Sequence, residues 1–439
     1  MRFLDLCFVR DPVAATIRAA REHNPQIVGV SVRNIDNSDA IALRHYTPEA
    51  KQVFAAVRES VPSAKLIAGG AAFGVAPEAL FQSFGVDYAV AGDGERASVA
   101  LVDALARGDD IKPLPGLVRL EDSRVHFTPP GEDAALDELP HPALHRWIDL
   151  KRYERNGATI PIQSKRGCVF KCVYCTYRNV EGWGYRTRDP ERVADEIEEL
   201  HREAGVRTFD FVDSTFNSPP GHALEVCEAI IRRKLRVHLD TTNFTPATAS
   251  DELLSAMRHA GFRTLGITAE SASDPVLQKL EKGFSAAKAR DVAERVEKHG
   301  IRALWIFLVG GPGETFETLE ETLRFAEWRL NRGDAVYLTV GLRIYPGTTL
   351  QRIAISEGVV SNDDSLLDPM FYFSPGLSFD SVVTRIKSFA RNHPRFMFSA
   401  DSRSPLLPWL TRAASVMRLP KPHWQYMGIF QSLARATSW

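Results

Sequence analysis

The chain has 439 residues, with 54 Lys and Arg against 55 Asp and Glu, so its formal net charge is -1 at pH 7. Its length predicts two or three domains with real hydrophobic cores, and its 44% hydrophobic and 25% charged content is typical of a globular protein. The near-neutral charge argues against a nucleic-acid partner, because sequence-independent affinity for polyanions needs an excess of Lys and Arg. Without a bilayer-length apolar run or a signal-peptide core, we expect a cytoplasmic protein with no membrane partner.

The first 107 residues alternate between strand and helix patterns. Short apolar runs predict strands at 3–9, 27–32, 65–68 and 88–91, with amphipathic helices between them. This alternation predicts an α/β domain with a doubly wound, Rossmann-like parallel sheet over residues 1–107. Ligands of such sheets bind at the carboxyl ends of the strands, which carry Arg33-Asn34, Gly69-Gly70 and Gly92-Asp93-Gly94-Glu95.

Three further regions follow. Residues 108–159 are rich in proline and predict a small hairpin and a linker. Residues 160–357 contain six strand–helix units, which predict a partial (β/α)6 barrel rather than a closed eight-stranded one. Its strands are expected at 160–164, 208–212, 237–241, 264–268, 303–309 and 336–343. Residues 358–439 predict a helical C-terminal extension.

Three of the five cysteines, Cys168, Cys172 and Cys175, follow the first predicted barrel strand directly. They therefore lie at the carboxyl end of the barrel, where barrel active sites are found. Three thiolates on one loop suit three irons of a 4Fe–4S cluster and leave the fourth iron open. A structural zinc site is the alternative, but zinc usually takes four ligands in two pairs, and a second cysteine pair is absent. Cys7 and Cys227 lie on apolar segments and are expected to be core thiols.

The spacing Cys-x-x-x-Cys-x-aromatic-Cys, with Tyr174 as the aromatic residue, resembles the signature of the radical S-adenosylmethionine (SAM) superfamily. The resemblance implies that the open iron binds SAM and that the reduced cluster cleaves it to a 5′-deoxyadenosyl radical. It also implies an electron donor of the flavodoxin or ferredoxin type. By position at strand ends, the resemblance implies SAM contacts from Tyr174, Ser214, Glu270, Ser271, Gly310, Gly311 and Tyr345.

The predicted barrel mouth is polar, which suits a small-molecule substrate with hydroxyl or amino groups. Asp213, Asp240 and Arg343 are the candidate catalytic residues there. A carboxylate at this position could move a proton from a substrate radical or assist the loss of hydroxide.

The N-terminal domain resembles the cobalamin-binding domain that is fused to many radical SAM enzymes. The matching segments are 25–31, 68–70, 85–88, 92–95 and 139–143. Two departures stand out. The motif Asp-x-His-x-x-Gly, which supplies a lower axial histidine, is missing, and residues 3–9 align with the family's second strand, so the central first strand is lacking unless the native start lies upstream of Met1. We therefore expect a degenerate domain that binds cobalamin weakly or not at all.

These inferences predict a radical SAM enzyme that abstracts hydrogen from a carbohydrate- or aminoglycoside-like natural product. Dehydration, epimerisation or oxidation would follow, as in the 1,2-diol dehydratases of aminoglycoside antibiotic biosynthesis, which are lyases. Two alternatives stay open. The first is a cobalamin-dependent radical SAM methyltransferase, and the second is a non-catalytic metal-binding protein with a repurposed barrel.

Overall fold

The computed structural model describes residues 1–111, 113–131, 135–398, 406–417 and 419–436. The predicted architecture is confirmed: an N-terminal α/β domain precedes a partial barrel and a helical extension. None of the helices in these ranges is both long enough and apolar enough to cross a membrane.

The N-terminal domain is a five-stranded sheet flanked by helices. Its strands are β1 (Ile27–Ser31), β2 (Lys65–Gly69), β3 (Tyr88–Val90), β4 (Leu117–Glu121) and β5 (Arg124–Phe127), in that spatial order. Its helices are α1 (Pro12–His23), α2 (Thr47–Ser60), α3 (Ala71–Val75), α4 (Pro77–Phe84) and α5 (Gly94–Arg107). The strands β1 to β3 are parallel, and the β4–β5 hairpin adds antiparallel to β3. The sheet thus continues past residue 107, where the sequence pattern ends the first domain.

The predicted strand at 3–9 is wrong, because this segment makes local turn bonds instead of pairing with a sheet. The amide of Cys7 donates to Asp5 Oδ1 at 2.9 Å, and the amide of Val9 donates to Leu6 O at 3.2 Å. Phe8 packs edge-to-face on Tyr153, with ring centroids 4.6 Å apart. β1 is therefore the edge strand of the sheet, and Cys7 is exposed rather than a core thiol.

The linker contains one helix, α6 (Leu150–Arg155), and leads into β6 (Ile160–Ile162). A short antiparallel ribbon of β7 (Lys165–Arg166) and β8 (Arg186–Thr187) then brackets the cysteine loop and α7 (Tyr177–Glu181). The further barrel strands are β9 (Thr208–Phe211), β10 (His238–Thr241), β11 (Thr264–Glu270), β12 (Arg302–Val309) and β13 (Ala335–Val340). The barrel helices are α8 (Pro190–Ala204), α9 (Pro220–Arg232), α10 (Asp251–Ala260), α11 (Asp274–Lys279), α12 (Ala286–Lys298) and α13 (Phe316–Asn331).

The six barrel strands run parallel in the order β6, β9, β10, β11, β12, β13. Two isolated bridges, Leu239 with Phe262 and Phe244 with Ile267, join β10 to β11. Alternate residues point to opposite faces of a strand. Phe209 and Phe211 pack in the main core beneath the outer helices, so Asp210 between them faces the barrel interior.

The extension comprises β14 (Leu342–Arg343), α14 (Thr349–Ser356), β15 (Phe371–Tyr372), α15 (Phe379–Asn392), β16 (Phe396–Phe398), α16 (Leu406–Val416) and α17 (Met427–Ala436). β16 continues the barrel sheet beside β13. Trp424 and Met427 pack against Leu304 and Tyr337, and Arg302 donates to Gln425 Oε1 at 3.2 Å. Because Arg302 begins β12, the extension covers the amino-terminal end of the barrel and leaves the carboxyl end for the cysteine loop.

A buried ion pair joins the two domains. Arg343 Nε donates to Asp36 Oδ2 at 2.8 Å, and both side chains are at most 2% exposed. Tyr345 Oη reaches Ser38 Oγ at 2.8 Å beside this pair. Nearer the cysteine loop, α3 packs on α7 so closely that a Cβ on Gly74 would lie 2.9 Å from Val180 Cα.

We expect Asp36→Asn to lower the free energy of unfolding by about 3–5 kcal/mol, because it leaves the buried Arg343 charge without a counterion. The double variant Asp36→Asn/Arg343→Met removes both charges and should be the more stable of the two. Denaturant unfolding of the wild type and both variants measures this. A cost below about 1 kcal/mol for the single variant, as for an exposed pair, contradicts the prediction.

Candidate active site

The cysteine loop brings three thiols close enough for their charges to interact. Cys168 is buried, and Cys172 and Cys175 are partly buried. Burial raises the pKa of Cys172, although the charge of Lys282 opposes this shift, and burial raises the pKa of Cys175 to about 12. Thiols of this kind stay protonated at neutral pH unless a metal displaces the proton. The donor set therefore fits an iron–sulfur cluster, because bound iron would take the place of the protons on these thiols.

The start of the cysteine loop is held by hydrogen bonds to Asp213, which is fully buried. Its carboxylate accepts bonds from Ser164 N at 2.7 Å, Ser164 Oγ at 2.6 Å and Lys165 N at 3.1 Å. Ser214 Oγ donates to Gly167 O at 2.7 Å. The structure therefore does not support the predicted catalytic role of Asp213 or the SAM contact of Ser214, because both groups are already occupied in holding the loop.

Gly167, directly before the first cysteine, has a backbone conformation and a close backbone neighbour that only glycine can accommodate. Its φ is +87°, and a Cβ would lie 1.7 Å from Gly184 O. Its amide donates to Glu181 Oε2 at 3.2 Å, and burial raises the pKa of Glu181 to about 7. The loop is thus closed by a tight backbone approach between β7 and the segment before β8.

Beside the thiols lies a triad of Tyr174, Glu270 and Lys282. Tyr174 Oη donates to Glu270 Oε1 at 2.8 Å, and Lys282 Nζ lies 3.3 Å from both oxygens. Burial disfavours the Lys282 charge, but Glu270 and the neighbouring thiolates outweigh burial and raise the pKa of Lys282. Glu270 Oε2 is buried without a hydrogen-bond partner, so it is free for a ligand.

Sequence reasoning missed Lys282, because a single lysine after a short helix carries no motif. It predicted Glu270, which lies where β11 bulges and has a φ of +65°. The bulge turns a residue at the end of the strand toward the cysteine loop. The triad therefore depends on a backbone irregularity that no local pattern signals.

Three other predicted SAM contacts are occupied by the protein's own turns. The amides of Gly310 and Gly311 both donate to Glu314 Oε2. At Gly310, φ is +95°, and a Cβ would lie 2.4 Å from the Phe373 ring. Ser271 Oγ lies 3.2 Å from Thr322 Oγ1. These contacts hold the three residues in place, and their contacts with SAM stay predictions.

Arg343 and Tyr345 belong to the contact between the domains. Besides the bond to Asp36, Arg343 donates to the carbonyls of Ile344 and Leu366. Burial and the nearby Asp36 charge raise the pKa of Tyr345 to about 12. All three guanidinium nitrogens of Arg343 are engaged, so the structure does not support its predicted catalytic role.

Asp240 does face the barrel interior, and Asp210 stands beside it on β9. The two are register partners on neighbouring parallel strands. Burial, and then the charge of Asp210, raises the pKa of Asp240 to about 7, while burial and then Asp213 raise that of Asp210 to about 6. Oδ1 of each is buried without a hydrogen-bond partner. Asp210 was missed, although the alternation of Phe209, Asp210 and Phe211 could have placed it inside the barrel.

A crevice opens between the domains at the carboxyl ends of β2 and β3. It has a volume of about 270 Å³, and its walls include Gly74, Val75, Ala91 and Pro130 of the N-terminal domain and Asn179 and Gly347 of the barrel. Small side chains on both walls leave space for part of a bulky ligand. Parallel α/β sheets bind their ligands at this end.

Comparison with known proteins identifies both parts of the chain. Residues 162–326 match the Radical SAM superfamily, and residues 2–102 match the B12 binding domain. The barrel is therefore a radical SAM domain that follows a B12-binding domain. The chain thus carries a match to the B12 binding domain followed by a match to the Radical SAM superfamily.

Two curated relatives and one solved structure are similar to the chain over much of its length. An uncharacterized methyltransferase of Pyrococcus horikoshii, PH0819, is 31% identical over 277 residues, which is 63% of this chain and 59% of that protein. The tryptophan 2-C-methyltransferase of Streptomyces laurentii is 27% identical over 409 residues, covering 78% and 67% of the two chains. A solved structure of the radical SAM methyltransferase TsrM from Kitasatospora setae, with cobalamin and a [4Fe–4S] cluster bound, has the same fold. Its TM-score is 0.85, its sequence identity is 23%, and the match covers 99% of this chain and 93% of that chain.

The expectation that the chain binds little or no cobalamin is wrong. It rested on a missing central strand, yet the N-terminal residues match the B12 binding domain, and the structure with the shared fold contains cobalamin.

Replacement of Cys168, Cys172 or Cys175 by Ala should remove one iron ligand and abolish SAM cleavage, because electron transfer to SAM needs the assembled cluster. The variants Cys227→Ala and Cys7→Ala should retain the iron of the wild type. Cys227 lies in the apolar core, and Cys7 lies in the N-terminal segment, 161 residues before the first cysteine of the loop. Iron content and 5′-deoxyadenosine formation measure both effects. Iron loss in the Cys227 variant together with retention in the Cys168 variant would overturn the assignment.

Proposed function

We propose that the chain is a cobalamin-dependent radical SAM methyltransferase that methylates a carbon atom of a small molecule. The observation that carries the proposal is the direct tie between the cysteine loop and the end of β3. Arg166 contacts Asp93 at 2.8 Å and Glu95 at 2.6 Å, and Arg186 contacts Asp93 at 2.6 Å. These ion pairs hold a cluster site and a cobalamin site against each other.

The predicted dehydration of a carbohydrate finds no support in the two curated relatives described above, both of which are named methyltransferases. The alternative of methyl transfer uses both domains, whereas hydrogen abstraction alone gives the B12-binding domain no role in the reaction. When bound, the cluster supplies an electron to SAM, and cobalamin carries a methyl group. An external donor of the flavodoxin or ferredoxin type would supply the electrons.

The chain's own residues hold and orient these groups. Cys168, Cys172 and Cys175 would hold the cluster, and the free Oε2 of Glu270 would accept a hydrogen bond from SAM. Lys282 keeps the Glu270 carboxylate in place and compensates negative charge beside the thiolates. Because this triad is buried, the charge interactions in it are stronger than they would be in water.

The barrel interior supports a substrate with a hydrogen-bond donor, such as an amine or a heteroaromatic N–H. The unpartnered Oδ1 atoms of Asp210 and Asp240 would accept from it, and the half-buried Ile306 and Tyr337 on β12 and β13 offer apolar surface for its body. An aromatic amino acid has both features. The relative named a tryptophan 2-C-methyltransferase is consistent with such a substrate.

The reaction is tested with anaerobically purified protein loaded with iron, sulfide and hydroxocobalamin. We expect about one retained corrin per chain after desalting and, with SAM, a reductant and L-tryptophan or related indoles, S-adenosylhomocysteine as a product. Gly74→Val, which should force α3 away from α7 and disturb the crevice, is the matched control and should lose corrin while keeping iron. Formation of 5′-deoxyadenosine without S-adenosylhomocysteine, in protein with no retained corrin, would restore hydrogen abstraction as the reaction.

The Glu270 contact is tested with Glu270→Gln, and Lys282→Met, which breaks the same buried ion pair but keeps the carboxylate, is the matched control. We expect Glu270→Gln to bind SAM about ten- to a hundredfold more weakly than Lys282→Met, because a hydrogen bond to a charged group contributes roughly 1.5–3 kcal/mol. SAM titration of both reconstituted variants measures this, with iron content as the control. Equal SAM affinity in the two variants removes Glu270 from the SAM site.

A further inference from the structure

Among the described residues, a second group of metal-ligating side chains lies away from the cysteine loop, where the linker crosses α8. Glu199 and Glu203 project from α8, and His141 and His145 project from the linker toward them. We infer that these four side chains form a site for a divalent transition metal such as Zn²⁺, which fastens the linker to the barrel. The site is independent of the proposed methyl transfer.

The distances between the candidate ligand atoms suit such an ion. His145 Nε2 lies 3.2 Å from Glu203 Oε2, and His141 Nδ1 lies 3.2 Å from Glu199 Oε2. One ligand atom each from His145, Glu199 and Glu203 lies within 4.8 Å of the others. Bonds of 2.0–2.1 Å in a tetrahedron place zinc ligands about 3.3 Å apart. Binding would therefore draw the three converging ligands closer together and bring in His141, which contacts Glu199, as the fourth.

Helix α8 and the linker both hold their candidate ligands in position before a metal binds. Glu199 and Glu203 are four residues apart on α8 and therefore share one face of the helix. His141 and His145 are also four apart, and between them Ala143 has left-handed backbone angles, with φ 46° and ψ 45°, which turn the linker at this point. The side chains of His141, His145 and Glu199 are only 15–24% exposed.

The charge and ligand types of the two His–Glu pairs favour a divalent transition metal of intermediate softness. Two carboxylates with two neutral imidazoles give a net charge of −2, which matches a divalent cation, and imidazole ligands favour Zn²⁺, Ni²⁺ or Co²⁺ over Mg²⁺ or Ca²⁺. Arg202 approaches the other oxygen of Glu203, Oε1, at 3.3 Å and leaves Oε2 facing His145. Arg192 is held by Leu139 O and stands 3.7 Å from Asp137, so its charge is partly compensated.

An entry path is present. An open groove of about 430 Å³ is lined by His141 and Glu199, together with Arg146 and Asp195. Asp195 is paired with Arg233, so it does not compete for the ion. A metal can thus reach the ligands from solvent without opening the barrel.

The test uses the full chain with its iron–sulfur cluster already assembled, so that the cysteines are occupied, and ZnCl₂ as the probe. We expect calorimetric titration to show one zinc per chain, with zinc and iron both retained after desalting and a raised melting temperature. His145→Ala and Glu203→Gln should each weaken zinc binding by about tenfold or more. Glu198→Gln, on the same helix but paired with Arg233 at 3.3 Å, is the matched control and should bind like the wild type.

Three results overturn the site. The first is no zinc uptake by the wild type, which would mean that the two His–Glu contacts are hydrogen bonds only. The second is equal zinc affinity in the wild type and in the His145 and Glu203 variants. The third is zinc uptake matched by an equal loss of iron, which would place the zinc on the cysteine loop.

Discussion

The buried carboxylate of Asp213 is the constraint on which the cysteine loop depends. It ties the end of β9 to the chain directly after β6 through bonds to Ser164 and Lys165. A carboxylate with no exposed surface is tolerated because backbone and hydroxyl donors replace its water. Three residues later the chain reaches Cys168, so the position of the first thiol follows from this junction and from the tight turn at Gly167.

The same short segment also sets the relation between the domains. Arg166, between Lys165 and Gly167, reaches across to Asp93 and Glu95 at the end of β3. On the other side of the interface, Arg343 and Asp36 form a buried pair that would be costly to break. Two ion-paired contacts, one beside the cysteine loop and one near Tyr345, therefore hold the crevice between the B12-binding domain and the barrel in a single geometry.

The barrel interior contains groups that the fold does not satisfy. Asp210 and Asp240 lie side by side with an unpartnered buried oxygen each, and Glu270 has another near the thiols. An unsatisfied buried polar group costs roughly 1–3 kcal/mol, so a fold without ligands would be more stable with apolar residues at these positions. Such costs are typical of binding sites, where ligands supply the missing partners. The positions of these atoms are the reason why we propose a substrate with N–H donors.

The sequence by itself determined the parts that depend on local patterns. The six barrel strands and the three parallel strands of the first domain follow from apolar runs. The cysteine loop follows from the spacing of Cys168, Cys172 and Cys175. Tertiary structure alone decided what the polar residues do. Asp213 and Arg343 look alike in sequence as polar residues at strand ends, yet one anchors the loop and the other joins the domains, because their partners come from distant segments. The strand expected at 3–9 failed for a related reason: an apolar run becomes a strand only when a neighbouring strand offers its hydrogen bonds, and here the backbone turns on itself.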